Sequence, residues 1–498
     1  MTALVLGPHL RHVSHRTATI WVETDRPCEV RVVSRQYDLD AGSRTFTAHG
    51  HHYAVVEIDG LAPGARIPYE VSIDGETVWP EADSGFPPSE IRTLTEDGRL
   101  RISFGSCRRS PGTVEEFGHD ALTSFAHRLR TGGDAVTWPD LLLMVGDQVY
   151  ADELSDEMRA FIRGRRAQGE PPDDEAADFE DYTHLYKLAW HDDPEVRWLL
   201  STVPTFTIFD DHDIRDDWNT SYAWRQEMWS QPWWRDRITG GIGSYWIYQH
   251  LGNLSPQERA SDPVYKAVRT ASDTTGDAGT VLDEFAEKAD KQPDSTRWSY
   301  AHDWGGTRLI VVDSRCSRLL TADRRGMLDD DEFDWLDGQC QGGVDHLLIA
   351  SSLPYLLPMA IHHAESWNEA VAAAPGASVG RGWPRRSARR PTWSTGPRSR
   401  SRSAMWPPTS SPWDGVSAAL RPRASRSCRA TSTTRIWRGS RHPTPSRRSP
   451  RSSAPPCGTR WSGSSGGRTA SPTRGRRAAP SGSWRSWPRC PPCRSGGA

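Results

Sequence analysis

The stretch "FDDHDIRDDW", Phe209 to Trp218, sets five aspartates and one histidine directly behind the apolar run "VPTFTI". Carboxylates crowded at the end of a buried strand repel one another unless positive charge is held among them. Two other apolar runs end in comparable chemistry. "SFGSCRRS" offers Cys107, and "MVGDQVYADE" offers Asp147 and Tyr150. Taken singly, each has an ordinary explanation: a helix cap or turn former for the aspartates, a core filler for the thiol. Together, Cys107, Asp147, Tyr150, Asp210, Asp211 and His212 at three strand ends point to a multivalent cation held among them. Thiolate and phenolate suit Fe(III), whereas carboxylates suit Ca, Mn or Mg.

The elements that must carry these residues are short apolar runs between helical and polar stretches. "LRISFGSC", "PDLLLMVGD", "VPTFTIFDD", "TRLIVVDSR" and "VDHLLIASS" read as strands buried on both faces, with chemistry at their ends. "PEVRWLLSTV" and "LDDDEFDWLDGQC" read as helices. Residues 1–97 differ: "TATIWVET", "EVRVVS", "YAVVEIDGL" and "PYEVSIDGE" are strands punctuated by Gly, Pro and Asp, which predicts a small β-sandwich. "GLAPGARIPYEVSIDG" resembles the later half of a fibronectin III-like module. The Trp-rich stretch Trp224–Pro256 reads either as a packed cap or as a cleft wall offering Arg225, Arg235 and Arg237 to an anion.

The net charge of −3 averages two unlike parts. Residues 375–498 hold 26 Arg and one Asp, with no Lys or Glu, which leaves 35 basic and 63 acidic groups in the rest. Cys28, Cys107, Cys316 and Cys340 are scattered, unlike a disulfide framework. No basic leader precedes a long apolar run, and none of the runs reaches the roughly 18 residues of a membrane helix. A cytoplasmic protein without a membrane partner is expected.

"FGSC", "GDQVYAD", "FDDHD" and "VVDSR", in this order, resemble the PhoD-like alkaline phosphatases of the calcineurin-like metallophosphoesterases, over roughly residues 100–371. The resemblance implies a phosphoric ester hydrolase, acting on monoesters or diesters, in which paired cations activate a water. Its Fe(III) site would draw on Cys107, Asp147 and Tyr150, with Asp147 bridging to a divalent ion, Ca(2+) first and Mn(2+) or Mg(2+) next. Asp211 would be the second-site ligand and His212 the catalytic group at the phosphate, with Asp210 and Asp217 further out. The implied fold class is α/β: the N-terminal β-sandwich (1–97), then a metallophosphoesterase-type α/β sandwich (98–372). Members of that family are often exported, which stands against the cytoplasmic expectation.

The family closes its site with "GDVH" and a further His, and neither follows "SSLPYLLPMAIHHAESWNEAV"; His362 and His363 stand in a different context. After Pro375 there is one Ile, one Leu, no Phe and no Tyr, so residues 373–498 are expected to be disordered. Codons exist for Ser427–Ser440 whose shifted frame reads "LSGDVHHSYLARL", and the same shift turns Thr392–Ser399 into "LEHWPAF". The Arg-rich tail is therefore read as frame-shifted translation from near Ala372, and the truncated domain as lacking its last ligands. The alternatives are an inactive remnant or a basic-tailed nucleic-acid-binding protein, the latter unlike an out-of-frame tail.

Overall fold

A computed structural model describes residues 2–109, 118–167, 169–321 and 325–373. The expectations for the tail, including disorder, lie outside these residues.

The N-terminal part is two four-stranded antiparallel sheets. One has the order β1 (Leu4–Val13), β2 (Ala18–Thr24), β6 (His51–Ile58), β5 (Phe46–Ala48). The other has the order β4 (Leu39–Arg44), β3 (Glu29–Ser34), β8 (Glu70–Ile73), β9 (Glu76–Trp79). Strands β7 (Arg66–Pro68) and β10 (Glu90–Arg92) pair separately. The alternating burial of "EVRVVS" and "EVSI" gives each a dry face of Val30, Val32, Val71 and Ile73. This agrees with the expected β-rich start. β1 and β2, in contrast, are buried almost throughout, because the first sheet has a second layer against it: β1 packs on the helix Pro194–Thr202.

The rest is α/β. β11 (Ile102–Gly105), β12 (Leu141–Val145) and β13 (Thr205–Ile208) form a parallel sheet in that order, with Leu143 opposite both Phe104 and Phe206. β14 (Tyr300–Trp304), β15 (Thr307–Val312) and β18 (His346–Ser351) form the second, with β14 antiparallel and β18 parallel to β15. A two-residue ladder joins β16 (Leu319–Leu320) to β17 (Arg325–Gly326). All five strands expected of this region are present. β12, β13 and β15 are buried as expected, but β11 and β18 are not. Each has one partner strand among the described residues, and Phe104 is 71% exposed.

Both expected helices form with aspartate caps. Asp193 accepts from the amides of Glu195 and Val196 ahead of Pro194–Thr202, and Asp329 from that of Glu332 ahead of Asp330–Gln339. The Trp-rich stretch is two helices, Tyr222–Trp229 and Trp234–Ser244, followed by a fully buried π-helical turn, Tyr245–His250. Two of its arginines, Arg225 and Arg237, are buried, and Arg235 stands at the surface. Arg237 is fully buried on the carbonyls of Ala151, Ala176 and Ile214 and on Glu175, Arg225 bonds Asn219, and Arg235 pairs with Glu287. The packed-cap reading fits these contacts, and the cleft-wall reading does not.

Candidate metal and phosphate site

β12 and β13 run parallel and end side by side, so the loops that follow them meet at one rim. Gly146 makes the first turn with φ +98°, and an added Cβ would sit 2.6 Å from Asp210 Cβ and 2.9 Å from Ser352 Cβ. Asp147 and Cys107 follow with positive φ of 54° and 57°, sparsely populated for non-glycine residues and common at functional sites. Backbone bonds tie the two turns together: the Cys107 amide donates to Gly146 O and the Arg108 amide to Asp147 O.

At this rim Asp147, Asp210 and Asp211 bring carboxylate oxygens within 4.8 Å of one another, and Asp211, Asp216 and Asp217 form an adjoining cluster. Asp211 is common to both. Two countercharges reach them. Arg315, buried in the turn after β15, places Nη2 3.0 Å from Asp211 and bonds Asp210 through Nε. His212 donates its backbone amide to Asp147 (3.3 Å), and its Nδ1 lies 2.9 Å from Asp152.

The electrostatics follow from burial and crowding. Burial, then the charges of Asp210, Asp213 and Asp211, push the Asp147 carboxyl up to about 8. Burial, Asp216 and Asp211 raise Asp217 to about 7. Burial and Asp147 push the Cys107 thiol up to about 12, and burial and Asp147 also raise the Tyr150 phenol. Burial opposes the charged ring of His212, but its hydrogen bond and attraction to Asp152 outweigh that and raise it to about 10. Asp147 and Asp217 are pushed toward neutrality, and a cation held beside them would reverse that shift. Three carboxylates at this spacing fit a hard, oxygen-preferring divalent ion.

The structure thus brings Asp147, Asp211 and His212 together and adds Asp210 to their cluster. Cys107 lies outside both carboxylate groups, with Ser106 Oγ 3.4 Å from its sulfur. Tyr150 stacks on the His212 ring, centroids 4.5 Å apart. His362 accepts from the Leu357 amide, on the helix Met359–Ala373. Sequence reasoning assigned no role to Asp152, Arg315 or Asp213. Buried Asp213 accepts from the amides of Asp147 (2.9 Å), Gln148 (3.0 Å), Val149 (3.2 Å) and Asp210 (2.9 Å), so it fastens one loop to the other. No local signal separates it from its neighbours in "DDHD".

Residues 116–269, which include Asp147, Tyr150, Asp152 and Asp210–Asp217 but not Cys107 or Arg315, match the family model described as PhoD-like phosphatase. The chain carries a PhoD-like phosphatase domain. Residues 1–91 match a second family model, a domain of unknown function, DUF7800. A solved structure titled "Structure of PhoD" is similar to 71% of this chain at 15% identity and a TM-score of 0.48, and this chain spans 63% of its length. A Bifidobacterium dentium beta-glucuronidase complexed with coumarin-3-O-glucuronide aligns over 41% of this chain and 43% of its own at 15% identity, with a TM-score of only 0.15. No curated protein matches the chain. No helix among the described residues is long and apolar enough to cross a membrane.

Proposed function

We propose that this chain is built as a metal-dependent phosphoric ester hydrolase, with His212 as the group that meets the phosphate. The observation that carries this is the His212–Asp152 pair beside the cluster of Asp147, Asp210 and Asp211. Asp147, Asp210 and Asp211 would hold a divalent ion, and Cys107 and Tyr150 would join Asp147 at a ferric one. Cations bound there supply Lewis acidity, which acidifies water and neutralises phosphoryl charge.

The protein's own groups do the rest. Asp152 accepts from Nδ1–H of His212, fixing the ring's orientation and leaving Nε2–H for substrate. In the metal-free protein, with its pKa raised to about 10, the ring is an imidazolium at neutral pH, a form able to bond a phosphoryl oxygen and to protonate the leaving alkoxide. Tyr150, stacked on one face, limits how the ring can tilt.

The test is hydrolysis of p-nitrophenyl phosphate and bis-p-nitrophenyl phosphate by the 498-residue chain supplied with Fe(3+) and Ca(2+) or Mn(2+). Activity lost in Asp211→Asn and His212→Ala supports the reading. Metal-independent turnover that survives both substitutions ends it.

A second reading, a frame-shifted remnant, is favoured by the exposed edges of the α/β region. Phe104, on β11, is 71% exposed, and Leu356 and Met359, in the segment that follows β18, are 72% and 65% exposed. The nucleotide sequence between the codons of Glu369 and Gly382 decides it. A one-base change that restores "GDVHHSY" should raise activity and solubility together, whereas an uninterrupted native frame there refutes it.

A further inference from the structure

Arg11 belongs to the first strand of the N-terminal β region, yet its guanidinium is buried in the α/β region. Nη2 donates to Gln249 O (2.6 Å) in the π-helical turn, and to Asn253 Oδ1 (3.2 Å) and Thr207 Oγ1 (3.4 Å). The socket is shaped for it: an added Cβ at Gly252 would lie 2.1 Å from Arg11 Nε. A cation at the carbonyl end of a helix is also favoured electrostatically.

Two short routes lead from this contact to the carboxylates. The side-chain amide of Asn253 holds β13, Oδ1 accepting from Thr207 N (3.0 Å) and Nδ2 donating to Thr207 O (2.8 Å), three residues before Asp210. Gln249, fully buried, donates through Nε2 to Tyr186 Oη (2.9 Å) and to Asp213 Oδ1 (3.4 Å), the carboxylate that fastens both loops. A π-helical turn widens a helix by one residue and recurs where a side chain must be re-aimed. Here it aims Gln249 at Asp213.

We infer that Arg11 is a positioning residue through which the N-terminal β domain sets the geometry of the carboxylate cluster. This gives residues 1–91 a task in the phosphatase domain itself, and it rests on the metal-site reading only for its consequence. Removing the guanidinium frees the π-helical turn, slackens Gln249 on Asp213 and loosens the amides of Asp147, Gln148 and Val149.

The experiment compares Arg11→Met, Arg11→Lys, Gln249→Met and Tyr69→Phe in the 498-residue chain. Tyr69 bonds Ser201 O (2.7 Å) at the same domain junction but off both routes, so its variant controls for general loosening. Metal-free hydrogen exchange is read at Asp147–Val149, and Mn(2+) affinity is read by titration with the metal alone. Loss of one net hydrogen bond should speed exchange and weaken Mn(2+) roughly five- to tenfold in Arg11→Met and Gln249→Met. Arg11→Lys should recover part of both, and Tyr69→Phe should lower thermal stability without moving either. Unchanged exchange at Asp147–Val149 in Arg11→Met and Gln249→Met, or an equal change in Tyr69→Phe, overturns the inference. Should Arg11→Met not fold, Gln249→Met and Arg11→Lys carry the same comparison. If the unaltered chain binds no Mn(2+) while exchange still follows Arg11, the metal reading falls and the coupling stands.

Discussion

The guanidinium of Arg315 lies 3.0 Å from the carboxylate of Asp211 while its Nε bonds Asp210. The positive charge that "FDDHDIRDDW" demands is thus partly supplied by the protein itself, from the turn after β15. Asp313 shapes that turn, accepting from the amides of Arg315 (2.7 Å), Cys316 (3.1 Å) and Ser317 (3.0 Å).

Arg315→Met should leave Asp210 and Asp211 buried without their partner, at a cost of about 3–5 kcal/mol in metal-free protein. A divalent cation should then return more stability to the variant than to the parent. Thermal melts with EDTA and with Mn(2+) measure this. An equal metal-induced shift in both proteins would show that Arg315 and the cation do not compete.

Asp152→Asn removes the carboxylate that keeps His212 protonated. The ring titration should fall from about 10 toward the ordinary 6.5, because the neutral amide no longer stabilises the imidazolium. At pH 8 the variant ring would be mostly neutral and the parent ring charged. Histidine-ring NMR on metal-free protein reads the midpoint, and an unmoved midpoint would remove Asp152 from its role.

Gly146→Ala meets both a left-handed backbone and two occupied positions, so a loss of roughly 2–4 kcal/mol is expected. Gly133→Ala is the comparison, since its φ is also positive (+51°) but nothing lies near the added Cβ. Urea midpoints of the two variants separate backbone strain from collision. Equal losses would mean that the contact with Asp210 and Ser352 yields easily.

His51 joins the two parts of the chain, with Nδ1 2.9 Å from Glu23 and Nε2 2.8 Å from Glu180. Burial works against its charge, but the bonds from Glu180 and Glu23 prevail and raise it from 6.5 to about 9. A raised folded-state value makes its stabilisation complete below 6.5 and lost as pH climbs through about 9. Over that window stability should fall by up to about 1.4 kcal/mol per pH unit more in the parent than in His51→Gln. Parallel stability–pH curves for the two proteins would refute this.

What sequence alone determined is local. The apolar runs marked the five α/β strands, and "PEVRWLLSTV" and "LDDDEFDWLDGQC" marked two helices, because strand burial and helix formation depend on near neighbours. Asp147, Asp211 and His212 could be placed at a shared rim because parallel strands put their following loops on one side. Tertiary structure alone decided which of the crowded acids face one another and what answers their charge. Arg315 is 105 residues from Asp210, Asp152 is 60 from His212, and Asp213 binds amides 64 to 66 residues away. No periodicity encodes such pairs, since chain closure brings them together only when the sheets assemble. The same holds for Arg11, whose partner Gln249 O lies 238 residues on: a charged residue in "HLRHV" reads as strand surface until a second domain packs over it.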